Sequence, residues 1–184
     1  MALKSTIFKT ELSIADTVRH HYADYSLTVA LHPSETEERM MVRLLAFILN
    51  AHERLSFGKG VSTDDEPALW LKDETDTIEL WIDVGLPDER RIRKACGRAN
   101  AVKVYLYGSL AEKWWRDNEA AMRKLAKVSV YLIPDTQSLS ALCQRNMQLQ
   151  STVDEEYIWL SDFRSPDSEH LNLTYECLKS SQEN

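Results

Sequence analysis

The sequence predicts an α/β domain, a mixed central β-sheet flanked by helices with extra antiparallel strands towards both ends of the chain. Three observations predict it. Apolar and polar residues alternate in several short segments rich in β-branched and aromatic types. Apolar residues recur at helical spacing in others. From residue 78 to residue 133, strand, helix and strand follow one another twice over, the order that makes parallel right-handed crossovers.

At 184 residues and 43% hydrophobic, the chain can build one sizeable core, so a single domain over residues 1–184 is expected. A formal net charge of -7 excludes a protein that coats nucleic acid or acidic membrane by its overall field, and leaves only a local basic patch for phosphate. Cys96, Cys143 and Cys177 are far apart and show no paired spacing. They read as reduced thiols of a cytoplasmic protein, without a disulfide framework or zinc site. No apolar run suits a membrane span, and the opening residues lack the apolar region of a signal peptide.

Residues 4–12 and 25–31 alternate as two strands of a hairpin or arm. Ser34 and Glu37 stand in a capping-box pattern, so a helix should follow, with Met40, Met41, Leu44, Leu45 and Ile48 on one broad apolar face and its end near Asn50. Residues 54–57 make a short strand before a polar loop around Gly58 and Gly60. Residues 68–72 and 78–84 are strands of a hairpin joined at 73–77. Gly85 and Pro87 stop the second, and Asp88 and Glu89 open a helix that reaches residue 99.

A strand at 101–107, a helix at 110–125 with a second capping box from Ser109 to Glu112, and a strand at 128–133 follow. After a short helix at 138–145, residues 147–153 and 157–161 form another hairpin, and 171–177 adds an edge strand. Residues 179–184 should fray.

The segment 78–85 carries the most chemistry. Its alternation sends Ile78, Leu80, Ile82 and Val84 to one face and Glu79, Trp81, Asp83 and Gly85 to the other. Under a covering helix two carboxylates there need a counter-charge. A symmetric hairpin centred on Thr75 sets Asp65 diagonal to Asp83, about 7–8 Å away. A one-residue slip presents Glu66 or Asp64 instead. Carboxylates so gathered suit magnesium or manganese, with Asp65, Asp83 and Glu79 as ligands and Glu37 in support. A solvated strand face accounts for Glu79 and Asp83 equally well, and the cap accounts for Glu37. The helix at 88–99 holds Arg90, Arg91, Arg93, Lys94 and Arg98, the one local patch able to meet phosphate. A helical wheel puts Arg91 and Arg93 beside its buried stripe and Lys94 well away from it. A solvated face with a Glu89–Arg93 pair also fits this helix.

Residues 32–36 (HPSET) leading into 38–41 (ERMM), then 64–67 (DDEP), 80–83 (LWID), 87–92 (PDERRI) and 94–96 (KAC) closely resemble the bacterial YaeQ family over nearly the whole chain. That resemblance implies a variant of the PD-(D/E)XK nuclease fold, a restriction-endonuclease-like core of helix, three strands, helix and strand. In nucleases of that superfamily an Asp starts the second core strand and an acid-x-Lys triplet ends the third. Asp65 fits the first slot and Asp83 the acid, while Gly85 occupies the lysine position. Some members supply the cation from the next helix, where Lys94 and Arg91 stand. An arginine there can only stabilise charge, because it does not give up its proton. The resemblance thus implies a metal-dependent phosphodiesterase acting on nucleic acid. The missing lysine leaves the alternative of a non-catalytic relative that binds nucleic acid or a protein partner.

Overall fold

The computed structural model describes residues 4–59, 65–164 and 170–181. Its organising element is α1 (Glu37–Leu49), in which every residue from Met40 to Leu49 is buried. A helix apolar nearly all round must be covered on every side, and two sheets cover this one. The expected single apolar face is therefore corrected: Val42, Ala46 and Phe47 are as deeply placed as Leu44 and Ile48.

One cover is a six-stranded sheet made of β3 (Leu55–Phe57), β4 (Leu69–Lys72), β5 (Ile78–Val84), β6 (Ala99–Tyr107), β7 (Val128–Ile133) and β11 (Glu176–Lys179), ordered β11-β7-β6-β5-β4-β3. Its centre, β5-β6-β7, is parallel, as the two crossovers require, and its flanks are antiparallel. Leu69, Ile82, Val84 and Tyr105 face α1. The crossover helices α2 (Glu89–Arg98) and α3 (Ala111–Met122) close the other face over Trp81, Val102, Val104 and Val128.

The second cover corrects the single-sheet expectation. β1 (Thr6–Asp16), β2 (His21–Leu31), β8 (Asn146–Val153), β9 (Tyr157–Asp162) and β10 (Leu171–Thr174) form a sheet of their own, ordered β10-β9-β8-β1-β2. β1 lies parallel to β8, from Lys9 opposite Asn146 to Asp16 opposite Val153. Both hairpins were legible locally, but their junction joins residues more than a hundred positions apart, which periodicity does not register. The expected edge strand at 171–177 divides at Tyr175: β10 pairs with β9 in this sheet and β11 with β7 in the other.

Local chemistry explains further differences. Thr36, not Ser34, caps α1, accepting from the Arg39 amide at 3.1 Å, while Ser34 bonds the His32 ring. The Ser109–Glu112 box does not form, for α3 starts after Leu110 without a side-chain cap. The expected helix at 138–145 is a 3₁₀ segment over Thr136–Leu142. Lys179 is buried rather than frayed, its ammonium donating to the carbonyls of Leu125 and Val128; residues 182–184 lie outside the described residues.

Glu35, just before the cap, turns inward. Its carboxylate accepts from Arg43 Nε at 2.8 Å, Arg43 Nη2 at 2.9 Å and Arg39 Nη1 at 2.7 Å. Burial holds the Arg43 pKa below its ordinary value, and the Glu35 charge and hydrogen bonds oppose that shift in part. Removing one partner of such a pair leaves a buried charge alone. Arg43→Ala should thus cost about 3–5 kcal/mol in denaturant unfolding, and a loss under about 1 kcal/mol, the scale of an exposed pair, would show that the pair does not hold α1 in place.

Candidate functional site

The candidate residues meet where β5 leaves the six-stranded sheet. Gly85 follows β5 at φ +99°, a left-handed conformation that favours glycine over any L side chain. Pro87 and Asp88 then start α2, with the Asp88 carboxylate accepting from the Arg91 amide at 2.7 Å. This turn aims the first turn of α2 back at β5.

Asp83, 4% exposed, receives three donors. Trp81 Nε1 and Arg91 Nε donate to Oδ2 at 3.0 and 2.9 Å, and Arg91 Nη2 donates to Oδ1 at 2.8 Å. The fork-to-fork geometry is the strong form of an arginine–carboxylate pair. Arg91 Nη2 also donates to the Glu66 carbonyl at 2.8 Å. One turn on, Lys94 donates to the Asp65 carboxylate, and a turn further Arg98 Nη1 donates to the Asp65 carbonyl at 2.6 Å. The Arg98 guanidinium stands 5.1 Å from the Trp81 ring centroid. Residues 91, 94 and 98 share one stripe of α2 and clamp the chain that enters β4.

The structure thus brings Asp83, Arg91, Asp65 and Lys94 together along α2. The wheel placed Lys94 away from the buried side; its long stem instead reaches Asp65, which lies beyond the sheet. Arg93 pairs outward with Glu89 at 2.6 Å. Glu79 is not brought in. The hairpin pairs Leu69 with Ile82 and Leu71 with Leu80, then shifts so that Lys72 meets Ile78, which leaves Glu79 as the extra residue of a bulge. It bonds Arg54 at 3.3 Å, four residues and roughly 13 Å along the strand from Asp83. The Asp73 turn, its carboxylate accepting from the amides of Thr75 and Thr77, is symmetric about Thr75, and the bulge shifts the pairing beyond it by one. The symmetric pairing was therefore one residue off, and the slip brings Ala68 beside Asp83. Asp64 lies outside the described residues.

Glu37 sits exposed in the first turn of α1. Burial, with the Glu37 charge, pushes the Cys143 thiol up to about 11. Sequence reasoning missed Trp81 as a donor and Arg98 as a clamp; the spacing 91-94-98 carried that second signal.

As a donor set this arrangement does not fit a divalent ion. Each oxygen of Asp83 already accepts from fixed N–H groups, and among the described residues no three His, Cys, Asp or Glu side chains are gathered to hold a metal. What the site offers instead is cationic. A hollow of about 320 Å³ is lined by Asp88, Arg90, Arg91 and Lys94.

The family model for YaeQ protein matches residues 1–169. The "Uncharacterized protein YaeQ" of Escherichia coli K12 is 47% identical over 177 residues, covering 95% of this chain and 97% of that one. The Salmonella typhi protein of the same description is 48% identical over 168 residues, covering 90% and 93%. The crystal structure of YaeQ from Xanthomonas axonopodis pv. citri superposes with TM-score 0.90 at 42% identity, over 96% of this chain and 99% of that one. The Pseudomonas syringae YaeQ structure gives 0.87 at 34% identity, over 96% and 97%.

Lys94, by hydrogen bond and charge, holds the Asp65 carboxyl below its ordinary 3.8. A carboxyl depressed in the folded state stabilises that state above the ordinary range, and the contribution disappears as pH falls through its own titration. Carboxyl-carbon NMR should place the Asp65 midpoint below 3.8 and return it to the ordinary range in Lys94→Ala. An unmoved midpoint in that variant rejects the pair.

Proposed function

The chain belongs to the YaeQ family, and from that premise we propose that it is a variant of the PD-(D/E)XK nuclease fold that binds the phosphodiester backbone of nucleic acid without cleaving it. The order α1, β3, β4, β5, α2, β6 supports the fold assignment, because it repeats the helix, three strands, helix and strand of that core. No helix among the described residues is long and apolar enough to cross a membrane.

The observation that carries the reading is the exchange of roles on α2. In a nuclease of that superfamily the acid of the triplet would be open to an ion and a lysine would follow two residues later. Here Arg91 engages that acid, and the lysine position is a glycine at φ +99°, where a lysine would be strained. Negative charge is cancelled where catalysis would need it, and cations line the hollow beside it. Arg90 and Lys94 are exposed, and an exposed ion pair such as Lys94–Asp65 contributes little, so a phosphate can take the ammonium over. Binding through so small a patch on an acidic chain should be weak and salt-sensitive.

A second reading, a magnesium- or manganese-dependent phosphodiesterase with Asp65, Asp83 and Glu79 as ligands and Glu37 in support, has one observation in its favour. Asp65 is exposed at 76% of its side chain, and its pairing with Lys94 can be released.

Fluorescence polarisation with labelled single- and double-stranded DNA and RNA, in parallel with gel assays in Mg²⁺ or Mn²⁺, separates the two. The expected result is chelator-insensitive binding that falls with salt, weakens in Arg90→Ala and Lys94→Ala, and loses about one unit of salt slope per cation removed. Cleavage abolished by Asp83→Asn would replace this proposal with the metal-dependent one. Affinity unchanged in both cation variants would reject the interface.

A further inference from the structure

The outer face of the sheet β10-β9-β8-β1-β2 has no role in the phosphate site. Its inner face is packed core through Leu12, Ile14, Leu149, Val153 and Leu160, so the strands form a fixed platform. Pairing aligns one row across all of them: Tyr22 opposite Ala15, Ala15 opposite Thr152, Thr152 opposite Trp159, and Trp159 opposite Asn172. Asp24, Ser13, Gln150 and Ser161 follow in the next row, its one carboxylate at the β2 edge. Trp159 is 37% exposed and Tyr22 64% exposed. Across the strands Tyr22 faces Ala15, and Trp159 faces Thr152 and Asn172. A second ring, Tyr157, lies 5.7 Å from Trp159.

Beside Trp159 lies a hollow of about 380 Å³ lined by Gln150, Thr152, Trp159, Ser161 and His170. Among the described residues its lining contains no Asp, Glu, Lys or Arg, in a chain that is 28% charged. Among the described residues the side chains of Gln150, Thr152 and Ser161 bond no other group of the protein.

We propose that this face is a binding site for a neutral, hydroxyl-rich ligand, a glycan chain laid across the strands. An indole offers an apolar plane on which the C–H face of a sugar ring can rest, while an amide and two hydroxyls supply both donors and acceptors for ring hydroxyls. Tyr22 and Trp159 are three strand spacings apart, roughly 14 Å, a span that suits several linked sugars rather than one. Charge selects against the other ligand that stacks on aromatic rings. Single-stranded nucleic acid needs cations along its backbone. The described lining has none, and the adjoining β8–β9 turn presents exposed Glu155 and Glu156 in a second hollow with Asp154 and Tyr157.

Calorimetric titration with cellohexaose and with chitohexaose tests this on the full chain. Saturable binding to at least one, at roughly millimolar or better affinity, is expected to fall about tenfold in Trp159→Ala and in Tyr22→Ala, which is the scale of losing a central contact. Lys94→Ala should leave it unchanged, which separates this face from the phosphate site. Both aromatic variants alter exposed side chains, and unchanged thermal melts would show that they fold. No binding of either sugar, or full affinity in Trp159→Ala, overturns the proposal. Two other results overturn it as well: binding of an oligothymidine that Trp159→Ala abolishes, or a dimer in sedimentation that Trp159→Ala dissociates.

Discussion

Everything in this fold depends on α1 having no wet side. Ten consecutive buried residues on one helix cannot be satisfied by a single sheet, because a sheet covers one stripe and leaves the opposite one exposed. The six-stranded sheet takes one side, and the strands near the two ends of the chain are recruited to take the other. Arg43 is the exception that such burial must neutralise. Glu35 does so from the residues just before the helix, at 2.8 and 2.9 Å, so the same contact that cancels a charge also fixes how the chain enters α1.

The acids near α2 follow the same electrostatic logic to a different end. Asp83 is buried and therefore receives three N–H donors, whereas Asp65 is exposed and keeps a single lysine. Low dielectric makes the first arrangement rigid and solvent makes the second exchangeable. A carboxylate already satisfied by a guanidinium and an indole has little to gain from an ion, and a lysine held only by an exposed carboxylate has little to lose in meeting a phosphate. The difference in burial between two aspartates thus separates a fixed contact from an exchangeable one at this edge of the sheet.

Much of this was legible in the residues. Strand and helix order from 34 to 133, the hairpin at 68–84 and the basic helix after Pro87 all follow from period and punctuation, and the wheel already set Arg91 towards the sheet. The rest was hidden by competing local rules. Ser34 and Glu37 satisfied a capping pattern so well that Glu35 passed as a linker residue, although a lone arginine among nine apolar residues was itself a signal that a buried acid was needed. The turn is symmetric about Thr75, with Lys72 meeting Ile78, but the bulge at Glu79 shifts the rest of the hairpin by one, and such an extra residue leaves no mark in the alternation. The hairpins of the second sheet were legible, but the pairing of β1 with β8 that joins them left no local trace.

The parallel pairing of β1 with β8 has a consequence for how the molecule comes into being. Synthesis delivers β1 and β2 first, and they can close their hairpin at once, yet the strand that β1 needs on its other edge begins only at Asn146. Until then α1 has one of its two roofs incomplete, and its apolar surface must wait on the emerging chain. Long-range pairing of this kind folds slowly and exposes sticky surface meanwhile. Assembly is therefore ordered from the middle outward, with the last strands sealing a core whose first residues were made long before.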